Sequence, residues 1–242
     1  MVIINDEKAE RIPLTLADWD GPRGTITLIF QEVGFSTHKL SNRRIGDSIE
    51  HILGPLGNPA EIKKLGRIIC IGGGVGIAEI LPVAKAFREA GNEVIGIIGA
   101  RSKELLILEE EEKAICNELY ITTDGGSYGK KGFVTDILKE ILNAQTRKHA
   151  NAQIDLIYTV GPVVMMRAVS ELTQPCKIKT VVSLNPIMVD ATGMCGACRC
   201  SIGGVTKFAC VEGPDFDAHL VDFKELQKRI NQFKEQEQKN HT

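Results

Sequence analysis

Apolar positions in the middle of the chain follow two alternating patterns. Short continuous apolar runs, typical of buried strands, alternate with longer stretches in which apolar residues recur at helical spacing. This alternation predicts βαβ units and a mostly parallel sheet between Arg67 and about Pro186. The predicted strands are 68–71, 93–98, 118–122, 156–160 and 180–184. The predicted helices are 77–90, 103–116, 132–143 and 164–172.

The residues before this region have a β-rich pattern. Short apolar and β-branched runs at 12–17 and 25–30 flank a turn at 20–24, which predicts a hairpin or part of a small barrel. Residues 46–49 and 53–57 are typical of a further strand and its exit loop. Three or four strands are too few to close a barrel.

The pattern changes again after Pro186. A compact Gly- and Cys-rich segment extends to about Asp215, and a polar helix follows it. We expect residues 234–242 to fray, because they have no apolar partner. The apolar positions that recur at helical spacing in the polar helix are Phe223, Leu226, Ile230 and Phe233.

Composition and charge narrow the range of functions. With 242 residues, 43% hydrophobic and 25% charged, the chain can bury a sizeable core in one or two domains. A net charge of -2 provides no basic field for a phosphate backbone, which argues against nucleic acid as a partner. Its start lacks a basic and apolar leader, and no apolar run approaches the roughly 18 to 20 residues that span a bilayer. We therefore expect a cytoplasmic protein without a membrane partner.

A glycine run follows the first strand of the predicted sheet and opens the next helix. Its candidate binding residues are Gly72, Gly73, Gly74 and Gly76. Glycines there let the backbone approach a pyrophosphate, to which the helix N-terminus presents free N–H groups. The strict G-x-G-x-x-G pattern is not met, so a tight strand-to-helix turn is the alternative interpretation. After the next strand Arg101 stands where an acidic residue would hold a ribose, and NAD is not distinguished from NADP.

Two later strand ends carry compatible loops, at 122–129 and 160–166. Ligands of open α/β sheets bind outside the carboxyl ends of the strands, so the three loops indicate one crevice. Each loop taken alone is equally typical of ordinary turn chemistry. The candidate binding residues in these two loops are Asp124, Gly161, Pro162 and Met165.

Four of the seven cysteines lie within 16 residues. In a chain without an export signal, such clustering predicts a metal or iron–sulfur site rather than disulfides. Cys195 and Cys198 form a C-x2-C pair, and Cys210 follows after eleven intervening residues, as in plant-type [2Fe-2S] proteins. Asp190 occupies the position of the first cysteine of that pattern. We favour a cluster held by these three thiolates and one carboxylate.

Two other interpretations of the cysteine cluster remain open from the residues alone. Cys200 could supply the fourth ligand, leaving Asp190 as a loop residue, or the four thiolates could hold a structural zinc. The three scattered cysteines are expected to be small buried hydrophobes. They are Cys70, Cys116 and Cys176.

Together these segments resemble the ferredoxin-reductase-like electron-transfer subunits. The chain is similar to the small subunits of NADH-dependent reduced ferredoxin:NADP oxidoreductases, also called sulfide dehydrogenase small subunits. It is more distantly similar to the electron-transfer subunits of dihydroorotate dehydrogenase. In the former group an Asp stands at the first cluster position, which supports Asp190 over Cys200. The resemblance covers nearly the whole chain through 11–15, 72–76, 124–132, 161–166 and, most specifically, 184–214.

This resemblance implies an α/β plus β fold in three parts. They are a partial FAD-binding β-barrel over 1–62, a parallel-sheet NAD-binding domain over 63–186, and a [2Fe-2S] segment with a C-terminal helix over 187–242. It further implies that about two barrel strands are missing before Met1, which would weaken FAD binding. The flavin-binding residues implied are Arg11, Pro13, Leu14 and Thr15 on a strand, and Gly34, Ser36 and Thr37 in a second pyrophosphate loop.

The same resemblance implies an oxidoreductase subunit that passes electrons between NAD(H), FAD and the cluster to a larger flavin and iron–sulfur partner subunit. Val160 stands where many of these reductases have Cys, so no thiol is expected to take part in hydride transfer. One alternative function is the electron-transfer subunit of dihydroorotate dehydrogenase. Another is a non-catalytic protein that binds a nucleotide and zinc. The physiological acceptor and the direction of electron flow are not determined.

Overall fold

The computed structural model describes residues 1–4, 10–147 and 153–233. Its strands are β1 (Val2–Ile3), β2 (Leu16–Asp20), β3 (Thr25–Leu28), β4 (His51–Ile52), β5 (Arg67–Gly73), β6 (Glu93–Ala100), β7 (Glu118–Thr123), β8 (Lys130–Lys131), β9 (Leu156–Val160), β10 (Thr180–Ser183), β11 (Arg199–Ile202), β12 (Val205–Phe208) and β13 (Asp215–Asp217). Its helices are α1 (Phe35–Ser41), α2 (Gly76–Glu89), α3 (Glu109–Ile115), α4 (Val134–Arg147), α5 (Val163–Thr173), α6 (Ala209–Glu212) and α7 (Phe223–Ile230). Single 3-10 turns cover Lys103–Leu105, Ala218–Leu220 and Asn231–Phe233.

A seven-stranded sheet in the order β13-β10-β9-β5-β6-β7-β8 forms the centre of the fold. All its neighbouring strands are parallel except β13, which pairs antiparallel with β10 at one edge. Strand β5 is central: Ile69 pairs with Ile95 of β6 on one side and with Ile157 of β9 on the other. Strands β6 to β8 are added on one side of β5, and β9, β10 and β13 are added on its other side. Such a change of side leaves a crevice beyond the carboxyl ends of β5 and β9.

Strand β5 is buried on both faces because helices cover both sides of the sheet. Ile68 faces a cluster with Phe87 of α2, whereas Ile69 faces a cluster with Leu138 of α4 and Val169 of α5. Alternate side chains of a strand point to opposite faces, so an unbroken apolar run supplies both cores. Each fully buried large aliphatic side chain contributes roughly 1.5–3 kcal/mol.

The five strands and three of the four helices predicted for this region are confirmed, with shifts of a few residues at their ends. The single helix predicted over 103–116 is wrong. A 3-10 turn ends at Leu105, and α3 begins only at Glu109, after Leu108 in the left-handed region (φ 56°). Four consecutive glutamates fill the first turn of α3, where negative charge is favourable at a helix N-terminus.

The N-terminal residues form two small strand pairs. The β2–β3 hairpin confirms the turn predicted at 20–24, and β1 pairs with β4. The strand predicted over 12–17 is displaced: β2 begins only at Leu16, and Ile12 forms an isolated bridge with Val2, because Pro13 has no N–H for a ladder. Residues 46–49 form no strand, since Gly46 (φ 95°) lies in a turn capped by Asp47. These four short strands close no barrel within the described residues.

The C-terminal segment packs onto the sheet instead of standing apart. Its β11–β12 hairpin turns at Gly203 and Gly204, and its last strand β13 extends the central sheet. Asp222 caps the N-terminus of helix α7, and its carboxylate accepts the N–H groups of Lys224 and Glu225 at 3.0 and 2.9 Å. This confirms the predicted polar helix as far as Ile230, while the predicted fraying of 234–242 lies outside the described residues. No helix within the described ranges is long and apolar enough to cross a membrane.

Candidate functional site

Two glycine-containing loops meet at the crevice between β5 and β9. A Cβ on Gly76 would lie 2.6 Å from the carbonyl oxygen of Val160, and one on Gly73 would lie 2.4 Å from the sulfur of Met165. Only glycine permits this approach, so the β5–α2 and β9–α5 loops lie side by side. The structure therefore brings the predicted glycine run together with Gly161, Pro162 and Met165.

The turn into α2 leaves open space at its tip. Gly74 has φ 57° and no neighbour within 4 Å of a Cβ position, and its N–H donates to the carbonyl of Gly99 at 2.9 Å. Gly72, Gly73 and Gly76 are buried at the base of this turn, whereas the space beside Gly74 at its tip is open. Such a turn at the start of a 14-residue helix suits a pyrophosphate.

The third predicted loop lies next along the same edge. Asp124 and Arg101 are both exposed, and the Asp124 N–H donates to the Ala100 carbonyl at 3.2 Å. Lys103 stacks over the Tyr128 ring at 4.8 Å and donates its backbone N–H to the Ser127 hydroxyl at 3.0 Å. The loops after β6 and β7 are thereby joined on the side of the crevice away from β9.

The residues expected to hold the flavin occupy two N-terminal segments. Arg11, Pro13 and Thr15 are exposed, while Leu14 packs against the small apolar cluster around Ile12. Three of these four residues are therefore accessible from solvent to a ligand.

In the second segment Gly34 caps α1. The Thr37 hydroxyl accepts the Gly34 N–H at 2.9 Å, and the Ser36 hydroxyl accepts the Glu10 N–H at 2.9 Å. Both hydroxyls already stabilise the loop, so a ligand there would meet backbone groups or share these hydroxyls.

A buried carboxylate that the sequence pattern did not single out links Thr15 to α2. The Thr15 hydroxyl hydrogen-bonds to Glu79, whose pKa is raised by burial and, to a smaller extent, by the Asp215 carboxylate. Asp215 in turn accepts the Tyr158 hydroxyl at 2.6 Å, and burial raises its pKa as well. The only sequence signal for this cluster is one charged residue, Glu79, within the apolar start of α2.

The predicted cluster ligands lie in one loop system. The sulfurs of Cys198 and Cys210 are 3.2 Å apart, and the Cys195 N–H donates to Asp190 at 2.9 Å. Asp190 also accepts the Thr192 N–H, and these backbone bonds hold the pKa of its carboxyl below its ordinary value. Four donors are therefore arranged as two pairs, Asp190 with Cys195 and Cys198 with Cys210.

The pKa of the Cys210 thiol depends on residues of both pairs. Burial raises the pKa of Cys210 to about 11, and Cys198 and the Asp190 carboxylate act in the same direction. A hydrogen bond from the Gly193 N–H opposes this shift. Backbone N–H groups aimed at sulfur are what an iron–sulfur cluster requires, so these residues fit a [2Fe-2S] group.

Cys200 is placed differently from the other three cysteines of the group. It lies on β11 in the same apolar core as Cys198 and Cys210, but its thiol donates weakly to the Cys198 carbonyl at 3.4 Å, whereas the other two sulfurs meet each other. Burial raises the pKa of the Cys200 thiol to about 12. Across the described ranges no three Cys, His, Asp or Glu side chains converge as a single metal ion requires. Of the scattered cysteines Cys70 is buried and Cys116 half-buried, but the prediction is wrong for Cys176, which is exposed.

Comparison with known proteins places this geometry in a family. The iron–sulfur cluster binding domain of dihydroorotate dehydrogenase B matches residues 185–222. A dihydroorotate dehydrogenase B (NAD(+)) electron transfer subunit homolog of Thermotoga maritima is 45% identical over 98% of this chain and 81% of its own length. The electron transfer subunit of Bacillus caldolyticus is 33% identical over 87% of this chain and 79% of its own length.

A solved structure of an NADH-dependent reduced ferredoxin-NADP oxidoreductase superposes on 98% of the chain and 83% of its own, with a TM-score of 0.90 and 44% identity. The fold and the site thus define an electron-transfer subunit of the flavin and iron–sulfur oxidoreductases. More particularly, the chain belongs to the ferredoxin-reductase-like family of dihydroorotate dehydrogenase B electron transfer subunits and their homologues.

Proposed function

We propose that this subunit carries electrons between NADH, FAD and a [2Fe-2S] cluster, and exchanges them with a larger partner subunit. The observation that carries the proposal is the pairing of four cluster donors, with two sulfurs 3.2 Å apart, in a segment that shares its core with the dinucleotide-binding sheet. When bound, the flavin supplies the exchange between two-electron hydride chemistry and the one-electron chemistry of the cluster.

The dinucleotide would be held by backbone rather than by charged side chains. The open space around Gly74 would admit the pyrophosphate to the N-terminus of α2, whose dipole favours an anion. Gly161 and Met165 border the adjoining space beyond β9, where the nicotinamide would lie beside the Thr15 segment. Arg101 and Asp124 would contact its ribose groups from the β6 and β7 loops.

The paired geometry supports an assignment of the cluster ligands to the two irons. Asp190 and Cys195 would bind one iron, and Cys198 and Cys210 would bind the other. Backbone N–H groups of Thr192 and Cys195 hold Asp190 ionised, which is the state in which a carboxylate binds iron. Cys200, whose thiol donates to the Cys198 carbonyl and lies outside the two pairs, would remain a thiol.

We favour the ferredoxin-NADP oxidoreductase type over the dihydroorotate dehydrogenase type. The solved oxidoreductase structure is 44% identical over 98% of the chain, whereas the Bacillus caldolyticus dihydroorotate dehydrogenase subunit is 33% identical over 87%. The Thermotoga maritima protein, 45% identical over 98%, is described only as a homolog of that subunit. Dihydroorotate-dependent reduction, tested with each candidate large subunit, separates the two types. Reduction by dihydroorotate would reverse the preference.

The first test of the proposal measures cofactors and ligands together. The complex with its large subunit is expected to contain FAD, and more iron and acid-labile sulfide than the same complex with Cys198→Ser, since the partner subunit is itself expected to hold iron. Cys198→Ser should lose or badly destabilise the cluster, whereas Cys200→Ser, two residues away and also buried, should retain it. Asp190→Cys should keep iron but alter the electron paramagnetic resonance spectrum and the midpoint potential. Loss of iron in Cys200→Ser, with an unaltered cluster in Asp190→Ala, would make Cys200 the fourth ligand.

A further inference from the structure

Helix α7 reaches the cluster loop through one arginine. The Nη2 of Arg229 donates to the carbonyl oxygen of Ala197 at 3.0 Å, between Cys195 and Cys198. Arg229 lies beyond residues 185–222, the part of the chain that the iron–sulfur domain matches. The contact thus connects the cluster loop to an element outside the matched domain.

The same Ala197 also contacts a cluster donor. Its N–H donates to the sulfur of Cys195 at 3.5 Å, while its carbonyl accepts Arg229. The two hydrogen bonds hold Ala197 at both of its peptide groups, with the Cys195 sulfur on one side and Arg229 on the other.

The charge of Arg229 is also held close to the cluster segment. Its Nε is buried and has no hydrogen-bond partner within the described residues, and its guanidinium acts on the buried Cys200 thiol. Helix α7 is anchored by Phe223 and Leu226, which lie in the same apolar core as Cys198, Cys200 and Cys210. The packing of this core gives the side chain little freedom to move its charge into solvent.

We propose that Arg229 is a positioning residue of the iron–sulfur site, which holds the Cys195–Cys198 loop and raises the reduction potential of the cluster. Reduction adds a negative charge, and a half-buried guanidinium together with a fixed N–H to sulfur stabilises that charge. The inference rests on the proposed function, because it requires that the loop hold a cluster.

The test compares two arginine variants with a matched lysine variant on the same helix. Arg229→Gln removes the charge and the long donor side chain, whereas Lys228→Gln removes an equal charge from an exposed neighbour on the same helix. In the complex with the large subunit, the cluster of Arg229→Gln should have a lower midpoint potential. It should also lose iron to a chelator about tenfold faster, as for other residues that orient metal ligands. Lys228→Gln should match the wild type in both measurements.

Arg229→Lys separates charge from position. It keeps the charge and most of the packing of the side chain but not the planar donor geometry. We expect a potential between those of the wild type and Arg229→Gln, with faster iron loss than in the wild type. If Arg229→Gln fails to fold, Arg229→Lys provides the test alone. A midpoint potential and an iron-loss rate in Arg229→Lys that both equal those of the wild type would then overturn the proposal.

Hydrogen exchange provides a readout that needs no cluster. Amides of residues 195–198 should exchange faster in Arg229→Gln than in Lys228→Gln. Equal exchange in the two variants, or equal potentials, would show that Arg229 does not hold the loop. A wild-type complex from which Cys198→Ser removes no iron would instead contradict the proposed function, because the partner subunit would then account for all the iron. The two failures are therefore distinguishable.

Discussion

Glu112 is a fully buried carboxylate, whereas most other glutamates of the described ranges are exposed. It lies on α3 with no exposed surface, accepts a weak hydrogen bond from the Cys116 thiol at 3.4 Å, and has one carboxyl oxygen without a partner in the described structure. Burial raises the pKa of Glu112 from its ordinary 4.5 to about 7. The side chain is therefore neutral in the folded protein at mildly acidic pH.

This burial makes folding stability depend on pH. Between pH 4.5 and about 7 the folded state binds a proton at Glu112 that the unfolded state has released, so stability falls as pH rises through this range. The shift corresponds to about 3 kcal/mol. Relative to Glu112→Gln, the wild type should lose about this much unfolding free energy between pH 4.5 and 8, measured by urea titration.

Glu111 provides the control for this prediction. It precedes Glu112 on the same helix but is exposed, so Glu111→Gln should follow the pH dependence of the wild type. If the difference between the wild type and Glu112→Gln stays constant with pH, Glu112 is not held neutral by burial.

At the scale of elements, local pattern predicted the buried strands better than the short irregular ones. Strand β9 begins and ends at the residues predicted, because five consecutive buried residues have no other stable place than the centre of a sheet. The apolar spacing over 103–116 predicted one helix, but non-helical residues between Leu105 and Glu109 divide this segment. The β11–β12 hairpin was not predicted, although the pair Gly203 and Gly204 is a hairpin signal.

That hairpin turn offers a test of backbone strain without a steric change. Gly204 has φ 80° and no atom within 4 Å of a Cβ position. Gly204→Ala should therefore cost about 1 kcal/mol of unfolding free energy through the left-handed backbone alone. Gly204→Asn should cost less, because Asn tolerates this conformation better. Equal losses in the two variants, measured by thermal unfolding, would assign the cost to something other than the backbone angle.

At the scale of the whole molecule, the cluster segment and the sheet share one core. Met166 of α5 and Val182 of β10 pack in the same cluster of buried residues as Cys198, Cys210 and Leu226. The Tyr158 hydroxyl on β9 donates to Asp215 on β13. Electron transfer between the dinucleotide crevice and the cluster would thus occur within one packed body, without a flexible linker.

A ligand in the crevice should stabilise this whole body. NADH at a hundred times its Kd is expected to add about 2.7 kcal/mol to the unfolding free energy of the wild type. Gly76→Ala should lose this gain, because its Cβ would lie 2.6 Å from the Val160 carbonyl oxygen and push the two loops apart. Thermal unfolding with and without NADH measures both effects.

Gly21→Ala is the matched control for the crevice. Gly21 lies in the β2–β3 turn with nothing within 4 Å of a Cβ position, so this variant should keep the full NADH effect. A Gly76→Ala protein that NADH stabilises as much as the wild type would remove the glycine run from the binding site.

The sequence by itself determined the parallel sheet, the glycine run at its carboxyl edge and the cluster ligand candidates, since each is encoded in neighbouring residues. Tertiary structure alone decided that Glu79 meets Thr15, that β13 joins the sheet beside β10, and that Arg229 reaches Ala197. These contacts join residues 32 or more positions apart. Helical and strand periodicity report only which face of an element is buried, and the partner on that face is chosen by packing across the whole chain.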